Sequence, residues 1–222
     1  MKTSRLLALV AISGTIVSAG CFAGAYGLAT ANDGGSKEIV TREIPWDGSS
    51  TLSLGVEADV HYVQAPGPAT LVARGPHRSV NTLAVSGGHV HDGLLHSGAR
   101  LELTLRAPLV NRFQLNGRSR LVIEAYDQPE LSIGAEGRAA VEAAGRVDAV
   151  TLSLQGRATV NLARLDAGRV GGGVTGNSQV VVAPRHASAI DVSGGGSVVL
   201  LTRPAELANR LSEAGTVIDA AK

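Results

Sequence analysis

The sequence predicts an all-β fold, a β-solenoid of coils of roughly 20 residues preceded by short antiparallel strands and hairpins. Three observations carry this. A phrase of glycine, then Arg, Asn or Gly, then Ser or Ala, then any residue, then an apolar residue begins at Gly117, Gly137, Gly156, Gly176 and Gly195, in steps of 20, 19, 20 and 19. The runs between the glycines alternate apolar and polar residues, the period of a strand with one buried face. The composition is 44% hydrophobic but only 3% aromatic, with 28 glycines and no collagen period, which asks for many tight turns and a core of Val, Leu, Ile and Ala in thin layers and not around large rings. The competing fold is a β-sandwich with evenly spaced hairpins.

The elements follow in chain order. Lys2 and Arg5 precede the apolar LLALVAISGTIVSAG and several small-residue cleavage sites, so residues 1–31 read as a signal peptide or membrane anchor. The apolar run continues through CFAGAYGLA, and residues 6–28 together have the length to span a bilayer if uncleaved. Cys21 is the single cysteine. Ala19-Gly20-Cys21 resembles the end of a bacterial lipoprotein box, in which the thiol carries the lipid, although Ser18 stands where leucine is usual; otherwise Cys21 is a small apolar residue in a discarded peptide. Either way no disulfide is available to the rest of the chain. NDGGSK follows as a flexible linker over 32–37.

A solenoid domain is expected over 38–219, with a hairpin-rich cap at 38–109. TLSLGVEADVHYVQ, ATLVA and LELTLRA alternate with period two, and Asp92-Gly93 in SGGHVHDGLLH has the composition of a hairpin turn. Regular coils are expected over 110–202. The first apolar position after each glycine is Leu121, Val141, Val160, Val180 and Val199, the second Ile123, Ala143, Leu162, Val182 and Leu201, and before the glycines come Phe113 and Leu115, Leu131 and Ile133, Leu152 and Leu154, Val170, and Ile190 and Val192. Each buried Val or Leu contributes about 1.5–3 kcal/mol, so a few per coil summed over five coils outweigh the weakness of any one. A C-terminal cap is expected over 203–219, where AELANRLSEA has the composition of a short helix and Ala214 to Ile218 falls one period after the last phrase, as a degenerate coil.

Together, LSLGVEADVHYVQ, the DGLL segment, LELTLRAP and the serial Leu-x-Leu-x-Gly-x-[Ser/Ala] phrases resemble the head GIN domain of the bacterial "putative auto-transporter adhesin" family, over about residues 38–218. The resemblance implies an exported or envelope-associated β-solenoid and supplies no catalytic residues. The chain departs from the family's commoner Gly-Ser-Gly or Gly-Ala-Gly corners by carrying arginine at 118, 138 and 157.

Those arginines are the candidate site. One per coil, Arg118, Arg138 and Arg157 would form a column about 5 Å apart, suited to phosphate, carboxylate or sulfate groups of an envelope polysaccharide or lipopolysaccharide because guanidinium binds oxyanions bidentately. The plainer alternative is a solvated face neutralised by Glu124, Glu136 and Glu142. His89, His91 and His96 with Asp92 offer too few converging ligands for a metal site, and no metal or cofactor is expected. Ser193 to Ser197 lacks the strand-to-helix setting of a nucleophile elbow, the glycines at 171–173 have no lysine or helix with which to cradle phosphate, and Glu124 and Glu142 have no evident partner acid.

The formal charge of +1 gives no electrostatic footprint for nucleic acid. The resulting expectation is a non-enzymatic, exported, adhesin-like binding module in the periplasm, outer membrane or cell surface, with an envelope or surface glycan or protein as partner. It meets membrane only through an uncleaved or lipidated N-terminal segment. A periplasmic structural or signalling accessory is the alternative, and a polysaccharide-active enzyme the remotest class.

Overall fold

The structure is a computed structural model and describes residues 38–93 and 100–221. The leader, Cys21, the linker and His96 lie outside the described residues. The first half contains β1 (Ile39–Pro45), β2 (Thr51–Leu54), β3 (Ala58–Gln64), β4 (Thr70–Pro76), the short helix α1 (His77–Asn81), β5 (Leu83–Ser86), β6 (His89–Asp92) and β7 (Leu101–Ala107). The second half contains β8 (Arg112–Leu115), the long strands β9 (Arg120–Gly137), β10 (Ala140–Gly156), β11 (Thr159–Val174) and β12 (Gln179–Val192), and the short β13 (Ser197–Leu200), β14 (Glu206–Leu207), β15 (Arg210–Leu211) and β16 (Thr216–Asp219).

The fold is a β-solenoid of about five turns. Each long strand turns between its two halves, so one coil contributes to two lines of stacked strands. On one face the order is β1-β4-β7-β3 followed by the first halves of β9, β10, β11 and β12, then β13 and β16. On the other, β5-β6-β2-β8 leads into the second halves of the same long strands and ends at β14 and β15. Successive coils pair in parallel, which separates this fold from a sandwich of hairpins. Parallel stacking already includes β2, β3 and β7, N-terminal to residue 110.

Like residues stand over like. On the first face Leu121, Val141, Val160, Val180, Val198 and Val217 form one ladder. On the second, Leu52, Phe113, Ile133, Leu152, Gly172 and Ile190 form another. Apart from Gly172 and the half-buried Val217, these residues are buried. Two registers differ from the sequence reading. Phe113 and Leu115 continue into Ile133 and Ala135, while Leu131 belongs to a separate ladder beside Val150. In the fifth coil the inward residues are Val198 and Leu200, not Val199 and Leu201; Leu201 is 38% exposed.

That slip has its origin in the fifth corner. The glycines at the repeating corner with positive φ are Gly117, Gly137, Gly156, Gly176 and Gly194, at 67°, 86°, 87°, 73° and 71°, so the fifth corner is Gly194 and not Gly195. Three consecutive glycines at 194–196 make the two alignments indistinguishable by composition. From Gly137 to Gly194 each corner glycine packs against the one below, and the residue after three of the corners donates its N–H across the gap: Arg138 to the Gly117 carbonyl, Arg157 to Gly137 and Asn177 to Gly156, each 2.7 Å. A Cβ would strain the left-handed backbone and crowd the neighbouring glycine. The residue two past each glycine is buried under the turn, which explains the Ser or Ala of the phrase. Ser178 fits there because its hydroxyl donates to the Thr175 carbonyl and accepts the Ala158 N–H.

The bend on the opposite side behaves differently. Register shifts fall there, between Ala143 and Gly145, between Glu142 and Ala144, and between Leu162 and Arg169. Leu162 pairs with Val182 but Arg169 with Ala187, so β12 reaches its second half two residues sooner than β11. All the variation in coil length is taken up at this bend, while the glycine corner preserves the register.

The core is not free of rings. Trp46, Tyr62, Phe113 and Tyr126 are all buried, and three of them cluster near the start of the stack, with Tyr62 edge-on to Phe113 at 5.2 Å and 6.5 Å from Tyr126. The Tyr62 hydroxyl donates to the Ala107 carbonyl and accepts from the Val110 N–H. Burial pushes its acidity down, so its pKa lies above the ordinary tyrosine value and the hydroxyl stays a neutral donor. Rare aromatic residues concentrate where the irregular first coils leave gaps too wide for valine.

Two local expectations fail. The hairpin turn is Gly87-Gly88, both at positive φ, between β5 and β6; Asp92-Gly93 sits at the far end of β6, where Asp92 pairs with Leu83 and Gly93 bonds back to Thr82. The segment 205–214 is not helical. Its two short strands run parallel to β12, and the Asn209 side-chain oxygen accepts from the Ser188 hydroxyl and the Ile190 N–H, both at 2.9 Å. Continuing the ladder satisfies more backbone than one isolated helical turn can. β16 then forms the last, partial coil on β13.

Candidate functional site

The glycine corner decides where the arginines stand. Each follows a corner glycine whose φ is fixed by the turn, and the Arg138 and Arg157 N–H groups are tied to the Gly117 and Gly137 carbonyls one coil below, so residues 118, 138 and 157 occupy equivalent positions on three successive coils. All three are exposed. Asn177 and Gly195 continue the column without charge.

Two of the three acids expected to neutralise this column are engaged elsewhere. Glu142 bonds Arg120 at 2.5 Å. Glu124 lies 3.5 Å from His61 Nε2. These two glutamates also do not stack on each other: Glu142 stands beside Val122, and Glu124 beside Val63. Glu136 precedes the second corner glycine and is exposed. Among the described residues no ion pair involves Arg118, Arg138 or Arg157.

A second polar surface was not legible from spacing. Where β12 is two residues short, an open groove of about 420 Å³ is lined by Asp148, Gly168, Arg169, Arg185, His186 and Glu206. Arg185 Nε is held by Asp166 at 2.7 Å, and Arg146 approaches the same carboxylate at 3.9 Å. The formal charges of the lining nearly cancel, unlike those of the column.

The histidine segment gathers little. His89 and His91 project to one side with rings 5.5 Å apart and 13° from parallel, while Asp92 accepts the Thr82 hydroxyl at 2.5 Å. Among the described residues no group of three or more His, Cys, Asp or Glu side chains could hold a metal ion. The glycines at 171–173 lie within β11, and Ser193-Gly194 forms the fifth corner. Among the described residues no helix is long and apolar enough to cross a membrane.

Comparison with known proteins accords with this architecture. A crystal structure described as a putative adhesin from Bacteroides fragilis NCTC 9343 is similar over 82% of this chain and 97% of its own, with a TM-score of 0.64 and 16% identity. One described as a putative lipid binding protein from Parabacteroides distasonis ATCC 8503 covers 82% and 97%, at 0.51 and 13%. A putative adhesin from Parabacteroides merdae ATCC 43184 covers 81% and 95%, also at 0.51 and 13%. At such identities the likeness concerns the fold. Comparison with curated proteins gives no match. Residues 97–204 match the family described as "Putative auto-transporter adhesin, head GIN domain", so the segment that holds the glycine corners and the arginine column is similar to that family's head GIN domain.

Proposed function

We infer that the chain is an exported envelope module that binds without chemistry, and that its arginine column holds anionic groups of a surface glycan. The observation that carries this is the stacking of Arg118, Arg138 and Arg157 on consecutive coils without an ion pair to any described acid. Unit charges about 5 Å apart repel by roughly 1 kcal/mol even in water, so a ligand that places one oxyanion against each guanidinium relieves repulsion as it binds. A flexible glycan with regularly spaced carboxylates or sulfates suits a column repeating at about 4.8 Å. A lipid headgroup carries the same oxyanions, and one structural neighbour is described as a putative lipid binding protein.

The test is retention on an immobilised sulfated or uronate glycan. Arg138→Glu with Arg157→Glu is expected to abolish retention at low salt while leaving the circular dichroism spectrum unchanged, since both side chains are exposed. Arg146→Glu, at the other bend, is expected to change retention little. Equal retention of the double variant and the parent protein overturns the column. Binding of the parent to anionic phospholipid vesicles, with none to the glycan resin, would make a lipid headgroup the ligand. Surface placement is tested separately by protease shaving of intact host cells with an epitope after Lys222: loss of the epitope is expected, and protection until the outer membrane is opened overturns the adhesin reading.

A further inference from the structure

We propose that the C-terminal end of the solenoid is a docking surface for the same end of a second copy, giving a closed two-fold dimer. Every coil but the last has its inward residues covered by the next. Ser188 and Val192 are each 1% exposed, whereas Leu207 and Leu211, which stack on them, are 60% and 54% exposed. On the other face Val217 stacks on Val198 and is only partly covered, and Ile218 beside it is 49% exposed. Among the described residues no further coil covers these ladders.

The backbone stops in the same way. The Thr216 and Ala220 N–H groups donate to Gly196 and Leu200. Alternate residues of a parallel strand bond to opposite sides, so Val217 and Asp219 turn their N–H and C=O groups outward, where no described strand pairs with β16. β14 and β15 likewise pair only with β12. An open, apolar edge of this kind recruits another strand unless it is blocked.

The occupant follows from comparing the two ends. At the N-terminal end, antiparallel β1 and β4 close the stack, Leu71, Ala73 and Val80 are fully buried, and the Arg42 guanidinium donates to the carbonyls of Val80, Asn81 and Leu83. That edge carries Arg42 and Glu43 and ends in Pro45, features that block strand addition. Among the described residues it offers no unfinished ladder, so head-to-tail stacking finds no receiving surface there. Another C-terminal end does offer one, with the same aliphatic residues and the same free edge, and an isologous contact closes after two copies. The charges agree: antiparallel approach of the 206–211 line to its copy about Ala208 sets Glu206 opposite Arg210 of the second copy.

The test uses the full chain in mild detergent. Sedimentation velocity is expected to give a dimer, with Ile218→Lys and Leu207→Glu each returning it to half that protein mass; both side chains are exposed, and an unchanged circular dichroism spectrum confirms the fold. In a Cys21→Ser background, Ile218→Cys is expected to form a disulfide-linked dimer under mild oxidation, and Ile39→Cys to remain monomeric. A monomer at every concentration, a dimer indifferent to both substitutions, or cross-linking through residue 39 overturns the proposal. So does a monomer in which Leu207→Cys is shielded from maleimide by residues 1–37.

Discussion

Replacing Gly156 by valine is expected to lower the stability of the solenoid by about 3 kcal/mol or more. Its φ of +87° belongs to the left-handed region, which costs an L side chain about 1–2 kcal/mol before any contact is counted, and β-branching adds to that cost. The new Cβ would then stand 2.9 Å from the Gly137 carbonyl oxygen and 3.2 Å from its nitrogen. That carbonyl accepts the Arg157 N–H, so relieving the clash breaks the bond that sets coil on coil. Gly173, in the same coil, has open space around its missing Cβ and no positive φ; Gly173→Ala is expected to change stability by less than about 0.5 kcal/mol. Urea unfolding of both variants, followed by circular dichroism, checks the contrast. Similar midpoints for the two would mean that the corner column does not hold the stack.

Phe113→Ala is expected to cost roughly 3–5 kcal/mol, the usual range for removing a buried ring. Phe113 is fully buried, lies edge-on to Tyr62, and sits in the ladder between Leu52 and Ile133. Tyr62 cannot swing into the vacated space without giving up its bonds to Ala107 and Val110, so the cavity collapses only in part. Leu200→Ala, in the last fully stacked coil, is expected to cost less, because the partial coil beyond it can settle inward. Thermal unfolding of the two variants ranks them; a larger loss at Leu200 would contradict this account of where the core is densest.

Much of this architecture is readable from residue order, and the exceptions share causes. The glycine corners are legible because one backbone conformation admits one residue type, and Ser or Ala at the second position after them reports burial under the turn. The fifth corner slips by one because Gly194, Gly195 and Gly196 are equivalent as letters, and only the coil length decided at the other bend selects Gly194. That bend has no residue signature, since several backbone paths serve it, so the groove around Arg169 and Arg185 is invisible to spacing. Residues 205–214 look helical by composition, but the free edge of β12 outweighs local propensity. Gly87-Gly88 and Asp92-Gly93 both suit a hairpin, and the pairing of Val85 with Val90 chooses the first. A low aromatic percentage concealed the cluster because four rings dilute over the whole chain while packing in one place. The arginine column was legible through the glycines that position it; its lack of acidic partners was not, since sequence proximity placed Glu142 near it and register gave Glu142 to Arg120.

The unequal corners have a consequence for how this chain can grow. A length change at the glycine corner would throw every later ladder out of register, turning apolar residues toward water and polar ones inward. At the opposite bend the coils already differ by up to two residues without disturbing the ladders on either side. Additional segments, including whole loops bearing a new epitope or recognition sequence, can therefore be spliced in between residues 163 and 166 or at the matching place in another coil. The solenoid is in this sense a rack with one hinge-like spine and one free margin, and diversity can accumulate on the margin while the spine stays as it is.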